Sequence, residues 1–482
     1  MSEIRYVCLS DVHFGASNSV LTHMTNDAGM MADPTVPSSS LVALVDCLRD
    51  VITKCNGAGG TRPTLILNGD ILDLALSTTA ESAMAFERFM ELAFVDDRGP
   101  LFDTSMVYAP GNHDHHLWEA ARDAQYAATL AQVPRNSTLP NERHTTNLFA
   151  PEPPVNIALI TQLLRRFIPK ANVQACYPGF GVVSADKKKC VVWSHGHYLE
   201  SLYHLTTHLI TMFFPEHKAP ATLEALETEN FAWIDFFWGT LGRSGEAGRD
   251  VSLLYDKMQD QAATKRILRT FVASVVAKNS QSRLVDWAET HVLDTLVEFA
   301  LDHLAHSGRN EDGATLSDDG KQGLRAHLEG PVRGQIAAEL HAVPEDVTYI
   351  FGHTHKPFVG HDTFAGFKRV GLVNSGGWVV DSLETKPLSG GAIVLVDDQL
   401  DVALLRMYNE HERAADYRVF VEADDHDSPF FARLSKLIDP ASPPWNTFSQ
   451  VVAKAVDSRR QALQEEVALA KELPEGGSST CG

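Results

Sequence analysis

Five short polar clusters recur along this chain in a fixed order, and each closes an apolar run of strand length. They are Asp11-Val12-His13, Gly69-Asp70-Ile71-Leu72-Asp73, Gly111-Asn112-His113-Asp114, His195-Gly196-His197 and Gly352-His353-Thr354-His355. The runs that lead into them are Ile4 to Leu9, Thr64 to Leu67, Ser105 to Tyr108, Cys190 to Trp193 and Val347 to Ile350. Helical patterns lie between the first strands, as in Leu41 to Cys55 and Ala83 to Phe94. Strand and helix alternating in this way predict an α/β fold with at least part of its sheet parallel. Polar groups gathered past the carboxyl ends of such strands are where open α/β sheets hold ligands.

At 482 residues the chain exceeds one ordinary domain and suits a large core carrying an insertion or a second domain. A net charge of −21 repels polyanions at long range, which argues against an extended nucleic-acid footprint. A small phosphate substrate stays open, because local metal charge can reverse the field inside a cleft. The six cysteines form no CxxC pair and no disulfide framework; Cys8 and Cys190 read as small buried hydrophobes. Met1 leads straight into Ile4 to Leu9 without a signal-peptide pattern, and no apolar stretch reaches bilayer-spanning length. A cytoplasmic location is therefore expected.

Residues 17–40, weakly periodic and rich in Asn, Asp, Pro and Ser, read as a long loop near the clusters. Phe180 to Ser194 reads as a hairpin turning at Ala185 to Lys188, with Lys187 to Lys189 as a solvated turn rather than a phosphate patch. From about 200 to 344 the pattern is helical. Val285, Ala288, Val292, Leu296, Phe299 and His303 share one face, and Gly308 to Gly320 reads as a polar loop. Leu209 to Phe214 and Phe231 to Trp238 are unusually aromatic. They make either a buried helix–helix seam or a lid that accepts an apolar substrate part or a membrane surface. Strand signals return at Arg369 to Val380, Gly391 to Val396 and Asp401 to Met407, to close the sheet. A helix over Phe448 to Leu473 ends at Pro474 and Gly476-Gly477, before a tail, Ser478 to Gly482, expected to be disordered. The division expected is a core in two parts, 1–199 and 345–407, with a helical insertion, 200–344, and a helical C-terminal extension, 408–482.

Residues two apart in an extended chain lie on one side. Asp11 and His13 can therefore reach one metal together, and His353 and His355 can project into one cleft. Asp70, free just past a strand and a glycine, can bridge two cations. Asn112 offers a neutral oxygen, while His113 points elsewhere, toward substrate. Such mixed ligation suits Mn, Fe or Zn better than Mg or Ca. Two ions roughly 3.5–4 Å apart can generate hydroxide between them and clamp the attacking and leaving oxygens. His113 would assist the leaving group, worth roughly 10²–10⁴ in rate. Asp73 either orients His113 or caps the helix that follows.

The whole set resembles the calcineurin-like metallophosphoesterase superfamily, whose pattern runs DxH, GDxxD, GNH(D/E), H-G and GHxH. The match covers about 1–200 and 345–400. This resemblance implies a four-layer α/β/β/α metallophosphoesterase sandwich and two divalent transition metal ions, manganese foremost, with Fe or Zn as alternatives. It assigns Asp11, His13, Asp70 and His355 to the first ion, and Asp70, Asn112, His195 and His353 to the second. His113 would be the catalytic histidine with Asp73 its partner. The H-G order favours His195 as ligand, leaving His197 behind the ligands or at the substrate; His115 and His116 receive no role. Leu74 stands where protein Ser/Thr phosphatases carry an arginine, which speaks against a phosphoprotein substrate.

The aromatic block is similar in placement to the lid of UDP-2,3-diacylglucosamine diphosphatases. This chain is much longer than those enzymes, so the idea of a lid carries over and their substrate does not. The function expected is hydrolysis of a small-molecule or lipid-linked phosphate ester or pyrophosphate. A nucleotide phosphodiesterase or nuclease, and a non-catalytic scaffold that kept the fold, remain as alternatives. A peripheral membrane contact and an oligomer built on the 200–344 block are left open.

Overall fold

All five apolar runs form strands. The computed structural model describes residues 2–25, 31–57, 59–150, 154–199, 201–213, 216–239 and 313–472. The expected helical face from Val285 to His303 and the tail from Ser478 to Gly482 lie outside the described residues. So do residues 308–312 of the polar loop.

In chain order the strands are β1 (Ile4–Leu9), β2 (Thr22–Met24), β3 (Ala32–Pro37), β4 (Thr64–Leu67) and β5 (Ser105–Tyr108). Next come β6 (Val155–Asn156), β7 (Asn172–Ala175), β8 (Gly179–Val183), β9 (Lys189–Ser194) and β10 (Asp346–Phe351). The last are β11 (Phe358–Asp362), β12 (Arg369–Asn374), β13 (Gly390–Asp397), β14 (Val402–Asn409) and β15 (Phe420–Glu422). They build a mixed eight-stranded sheet in the order β15-β14-β13-β1-β4-β5-β7-β6 and a mixed five-stranded sheet in the order β11-β12-β10-β9-β8. In the first, β1, β4, β5 and β7 run parallel; in the second, β9, β10 and β12 do. The chain is mixed α/β.

Strand alternation divides the side chains between separate cores. On β1, Cys8 joins an apolar cluster that draws on both sheets, with Ile66, Val107, Val191, Trp193, Ile350 and Val394. Its neighbours Val7 and Leu9 pack instead with the helices Ser39–Asn56, Thr79–Met90 and Trp445–Glu472. On the second sheet Val347, Tyr349 and Phe351 pack with Leu324, Leu328, Ile336 and Leu340. Those four come from helices Asp318–His327 and Arg333–Leu340 and the π-helical turn, Leu328–Val332, between them. Helix Ser39–Asn56 forms because its apolar residues recur at helical spacing and both ends are capped. Ser38 accepts the Leu41 N–H at 3.0 Å, and Gly57, at φ +78°, leaves the helix.

Several expectations need correction. Residues 17–40 are not one loop: β2 and β3 pair as an antiparallel ribbon, and Ser38 already caps a helix. Arg369 to Val380 is not one strand, since β12 ends at Asn374 and the chain turns at Gly376, φ +67°. The returning strands also close two sheets rather than one, β12 pairing with β10 while β13 pairs with β1. The extension 408–482 is not wholly helical; β15 pairs with β14 and forms the edge of the larger sheet. The far flank of the 200–344 block, from Leu316 to Leu340, packs on the outer face of the five-stranded sheet.

In the aromatic segment Trp233, Ile234 and Trp238 are buried, which makes this part a packed seam. The hairpin appears as β8 and β9 around exposed Lys187 and Lys188, and Lys187 donates its N–H to the Ser184 carbonyl at 2.8 Å. Cys8 and Cys190 are buried free thiols. Among the described residues no helix is long and apolar enough to cross a membrane.

Candidate metal centre

The clusters converge because each follows a strand directly and then turns sharply. Asp11, His13, Asp70, His353 and His355 have φ of +50°, +52°, +52°, +67° and +57°. Nine non-glycine residues in the described chain have positive φ, and five of them are these. Left-handed backbone costs an ordinary residue roughly 1–2 kcal/mol, and such strain gathers at functional sites. The neighbouring glycines have a separate cause. A Cβ on Gly111 would strike the Asp70 carboxylate, and one on Gly352 would strike that of Asp11.

Asp70 lies at the middle of the site. Its Oδ2 is 3.7 Å from His13 Nε2 and 3.3 Å from His195 Nε2, and its Oδ1 accepts the His113 N–H at 2.8 Å. His195 Nε2 is also 3.0 Å from Asn112 Oδ1, and its Nδ1 is 3.2 Å from the Asn68 carbonyl. On the other side His355 Nε2 is 3.6 Å from Asp11 Oδ1. Asp11, His13 and His355 bring ligand atoms within 4.8 Å of one another, and so do Asp70, His195 and His353. Asp11 is itself held, accepting the His353 N–H at 2.8 Å and the Ser10 hydroxyl at 2.5 Å. All seven expected ligand residues are buried.

These donors fit a cation. His13 Nε2 and Asp70 Oδ2 are buried without a hydrogen-bond partner, an arrangement that is costly unless positive charge arrives between them. The set holds imidazoles, carboxylates and a carboxamide and no thiolate, as borderline divalent ions prefer. The electrostatics carry the same demand. Burial pushes His195 down, but the Asp70 and Asp11 carboxylates outweigh it and raise its pKa to about 9. Burial likewise works against ionised Asp70, yet His195, His113 and His13 hold its carboxyl well below the usual range. Burial raises the carboxyl of Asp11.

Asp73 serves two histidines. Its Oδ2 is 2.9 Å from His13 Nδ1 and its Oδ1 3.3 Å from His113 Nδ1. Oδ1 also accepts the N–H groups of Ala75 and Leu76 at 3.1 and 2.8 Å. The following helix starts later, at Thr79, and Thr78 is its cap, so Asp73 does not cap that helix. Burial opposes its ionisation, but His113 and His13 keep its carboxyl far below the normal range. His113 lies within ligand distance of His13 and Asp70 as well, at the edge of both metal groups.

His197 joins neither metal group. It is fully buried, its ring 5.5 Å from that of His195 and stacked 4.2 Å from Tyr198, with no hydrogen bond to either nitrogen. His115 points away to Asp235 at 2.9 Å, and Asp235 also accepts from Arg122 at 2.8 Å. His116 lies 3.5 Å from Glu119. Two supporting residues receive no role from the sequence, Asp114 although it closes the third cluster. Asp114 accepts the N–H groups of Gly111 and Ile71 at 2.6 and 2.8 Å and the Tyr108 hydroxyl, tying the third cluster to the second. Asp381 lies 3.3 Å from His355 Nδ1, and nothing in its surrounding sequence marks it. Neither family models nor curated protein sequences match this chain.

Proposed function

We propose that the chain is a dinuclear metal-dependent phosphoesterase built on a four-layer α/β/β/α frame. The frame is supported by one apolar cluster shared between the sheets and two more that pack helices on their outer faces. The observation that carries the function is Asp70, whose Oδ2 lies between His13 and His195, each belonging to a different close group of ligands. A carboxylate in that position joins two cation sites into one.

Asp11, His13, Asp70 and His355 would hold one ion, and Asp70, Asn112, His195 and His353 the other. Two such ions, manganese foremost with Fe or Zn as alternatives, would supply an acidified water and neutralise the phosphoryl oxygens. The chain itself does the rest. Asp73 fixes the proton of His113 on Nδ1, so that Nε2 can meet the leaving oxygen and hold a proton there. The buried ligands exclude bulk water, which strengthens every charge interaction in the site. The acidic surface and Leu74, buried in apolar surroundings, favour a small or lipid-linked ester over nucleic acid or phosphoprotein. A cytoplasmic location belongs to the same reading.

The test is hydrolysis of bis-p-nitrophenyl phosphate beside p-nitrophenyl phosphate by Mn²⁺-loaded protein, with His113→Ala as control. We expect turnover on at least one ester and a loss of roughly 10²–10⁴ in the variant, with both ions retained. Loss of an ion on removing His113 would overturn its role, and silence on both esters with two ions bound would overturn the assignment of activity on such esters.

A further inference from the structure

The last long helix, Trp445–Glu472, supplies no ligand, yet one of its side chains grips the loop that follows the first cluster. Trp445, Phe448, Val452 and Val456 recur at helical spacing and are buried, and Arg459 continues that stripe at 5% exposure. An arginine in an apolar stripe is costly unless its hydrogen bonds are met. Among the described residues no carboxylate pairs with it; its guanidinium donates to backbone carbonyls instead. Nε and Nη2 donate to the Ser19 carbonyl at 3.1 and 2.9 Å, and Nη2 donates to that of Thr22 as well. Burial lowers its pKa to about 10, which leaves it charged at neutral pH.

The loop that Arg459 holds hangs from the ligands. Ser19 Oγ donates at 2.7 Å to the carbonyl of Val12, the residue between Asp11 and His13. Ala16 donates its N–H to the His13 carbonyl at 3.1 Å, and Ser19 its own to the Ala16 carbonyl at 3.2 Å. The loop is also tied to the stretch that supports His355. Val20 donates its N–H to the Trp378 carbonyl at 2.8 Å and Val380 to that of Asn18 at 3.0 Å, and Asp381 lies 3.3 Å from His355 Nδ1. Asp11 and His13 have φ of +50° and +52°, backbone that persists only where its surroundings enforce it. We infer that Arg459 is a positioning residue for the first ion: by fixing Ser19 and Thr22 it holds Asp11 and His13 in the left-handed turns from which both would ligate. The inference rests on the dinuclear reading above. None of the bonds just named touches Asn112, His195 or His353, so the second ion should not depend on Arg459.

The test is Mn²⁺ binding to metal-free full-length protein, followed by isothermal titration and EPR. Arg459→Ala empties the guanidinium's place, while Ser19→Ala removes the hydroxyl link to Val12 and keeps the carbonyl that Arg459 grips. We expect each to weaken one of the two ions by roughly 10–100-fold, as loss of a supporting partner does, and to leave the other as in the wild type. At limiting manganese the EPR signal should change from that of a coupled pair to the six lines of a lone ion. Ser19→Ala added to His195→Ala should weaken the ion that remains, and added to His355→Ala it should not. Ethylguanidinium should restore the lost ion to Arg459→Ala. Val452→Ala, which loosens the same helix two turns earlier, should lower the melting temperature and leave both affinities unchanged. Equal weakening of both ions, weakening of the second alone, or affinities unchanged in Ser19→Ala overturn the positioning role while the centre stands. So does a Val452→Ala protein that loses the same ion, because the arginine would then act only by holding the helix. Should Arg459→Ala fail to fold, Ser19→Ala decides by itself. Wild-type protein that binds fewer than two ions removes the dinuclear premise, and the positioning role falls with it.

Discussion

Asp73→Asn separates what the carboxylate does for the turn from what it does for the histidines. In the wild type Oδ1 accepts from Ala75 and Leu76, and Oδ2 faces His13 Nδ1 at 2.9 Å. Asparagine keeps a carbonyl oxygen for the two backbone N–H groups but turns an NH₂ toward His13. That donor forces His13 Nδ1 to accept, which moves the proton to Nε2, the atom that faces Asp70 at 3.7 Å. A protonated Nε2 cannot ligate. Loss of such a supporting partner lowers metal affinity or activity by roughly 10–100-fold, about 1.4–2.8 kcal/mol. Manganese affinity by chelator competition and kcat on the preferred nitrophenyl ester are the assays. The metal-free melting temperature should move little, whereas Asp73→Ala should destabilise by about 1–3 kcal/mol, because Ala75 and Leu76 lose their acceptor. Wild-type affinity for both ions in Asp73→Asn would refute the reasoning.

Two further predictions concern the same centre and its surroundings. Asp70→Asn should abolish stoichiometric binding of both ions, read by metal analysis after gel filtration; retention of two tightly held ions would sink the bridging role. His327 is buried against Tyr198, ring centroids 4.7 Å apart, with no hydrogen bond to either nitrogen, and burial beside His204 lowers its pKa to about 3. Its folded value lies below the unfolded 6.5, so the unfolded chain binds the proton first. Stability is complete above pH 6.5 and falls as pH drops toward 3, by about 1.4 kcal/mol per unit. His327→Leu should therefore flatten the decline in melting temperature between pH 7 and pH 5. Parallel curves for the two proteins would contradict this.

The strand-then-cluster rhythm is readable in the sequence because both halves of the signal are local. An apolar run of four to six residues marks the strand, and the polar residues past it have no other business there. Helix Ser39–Asn56 is readable for the same reason, through its spacing and its serine cap. What the sequence hides is settled by pairing and packing that leave no periodic signal of their own. The ribbon of β2 and β3 carries Pro, Asp and Thr and looks like a loop until its pairing is seen. Strand β15 is three residues long and owes its existence to the edge of β14. The helix Arg333–Leu340 has little amphipathic pattern of its own and is held by a sheet on one side and a helix on another. At the centre the expected ligands are close together; Asp114 shows in the third cluster but not its bonds to Gly111 and Ile71, and no spacing rule marks Asp381. His197 resembles a ligand by motif and lies among tyrosines instead.

The strand order also sets a timetable for synthesis. β1 leaves the ribosome first, yet one of its two edges belongs to β13, where Ile4 meets Asp397 and Cys8 meets Val394. At roughly 5–20 residues per second that partner arrives roughly 20–80 s later. Until then one edge of a largely apolar strand is open to any extended chain that reaches it. Asp11 waits as long, because the N–H it holds belongs to His353. On the proposed assignment His353 and His355 are the last ligands to be made, so neither ion site would be complete before the second part of the core arrives. Expression at high manganese should raise the activity of chains that finish without rescuing those that aggregate on the way.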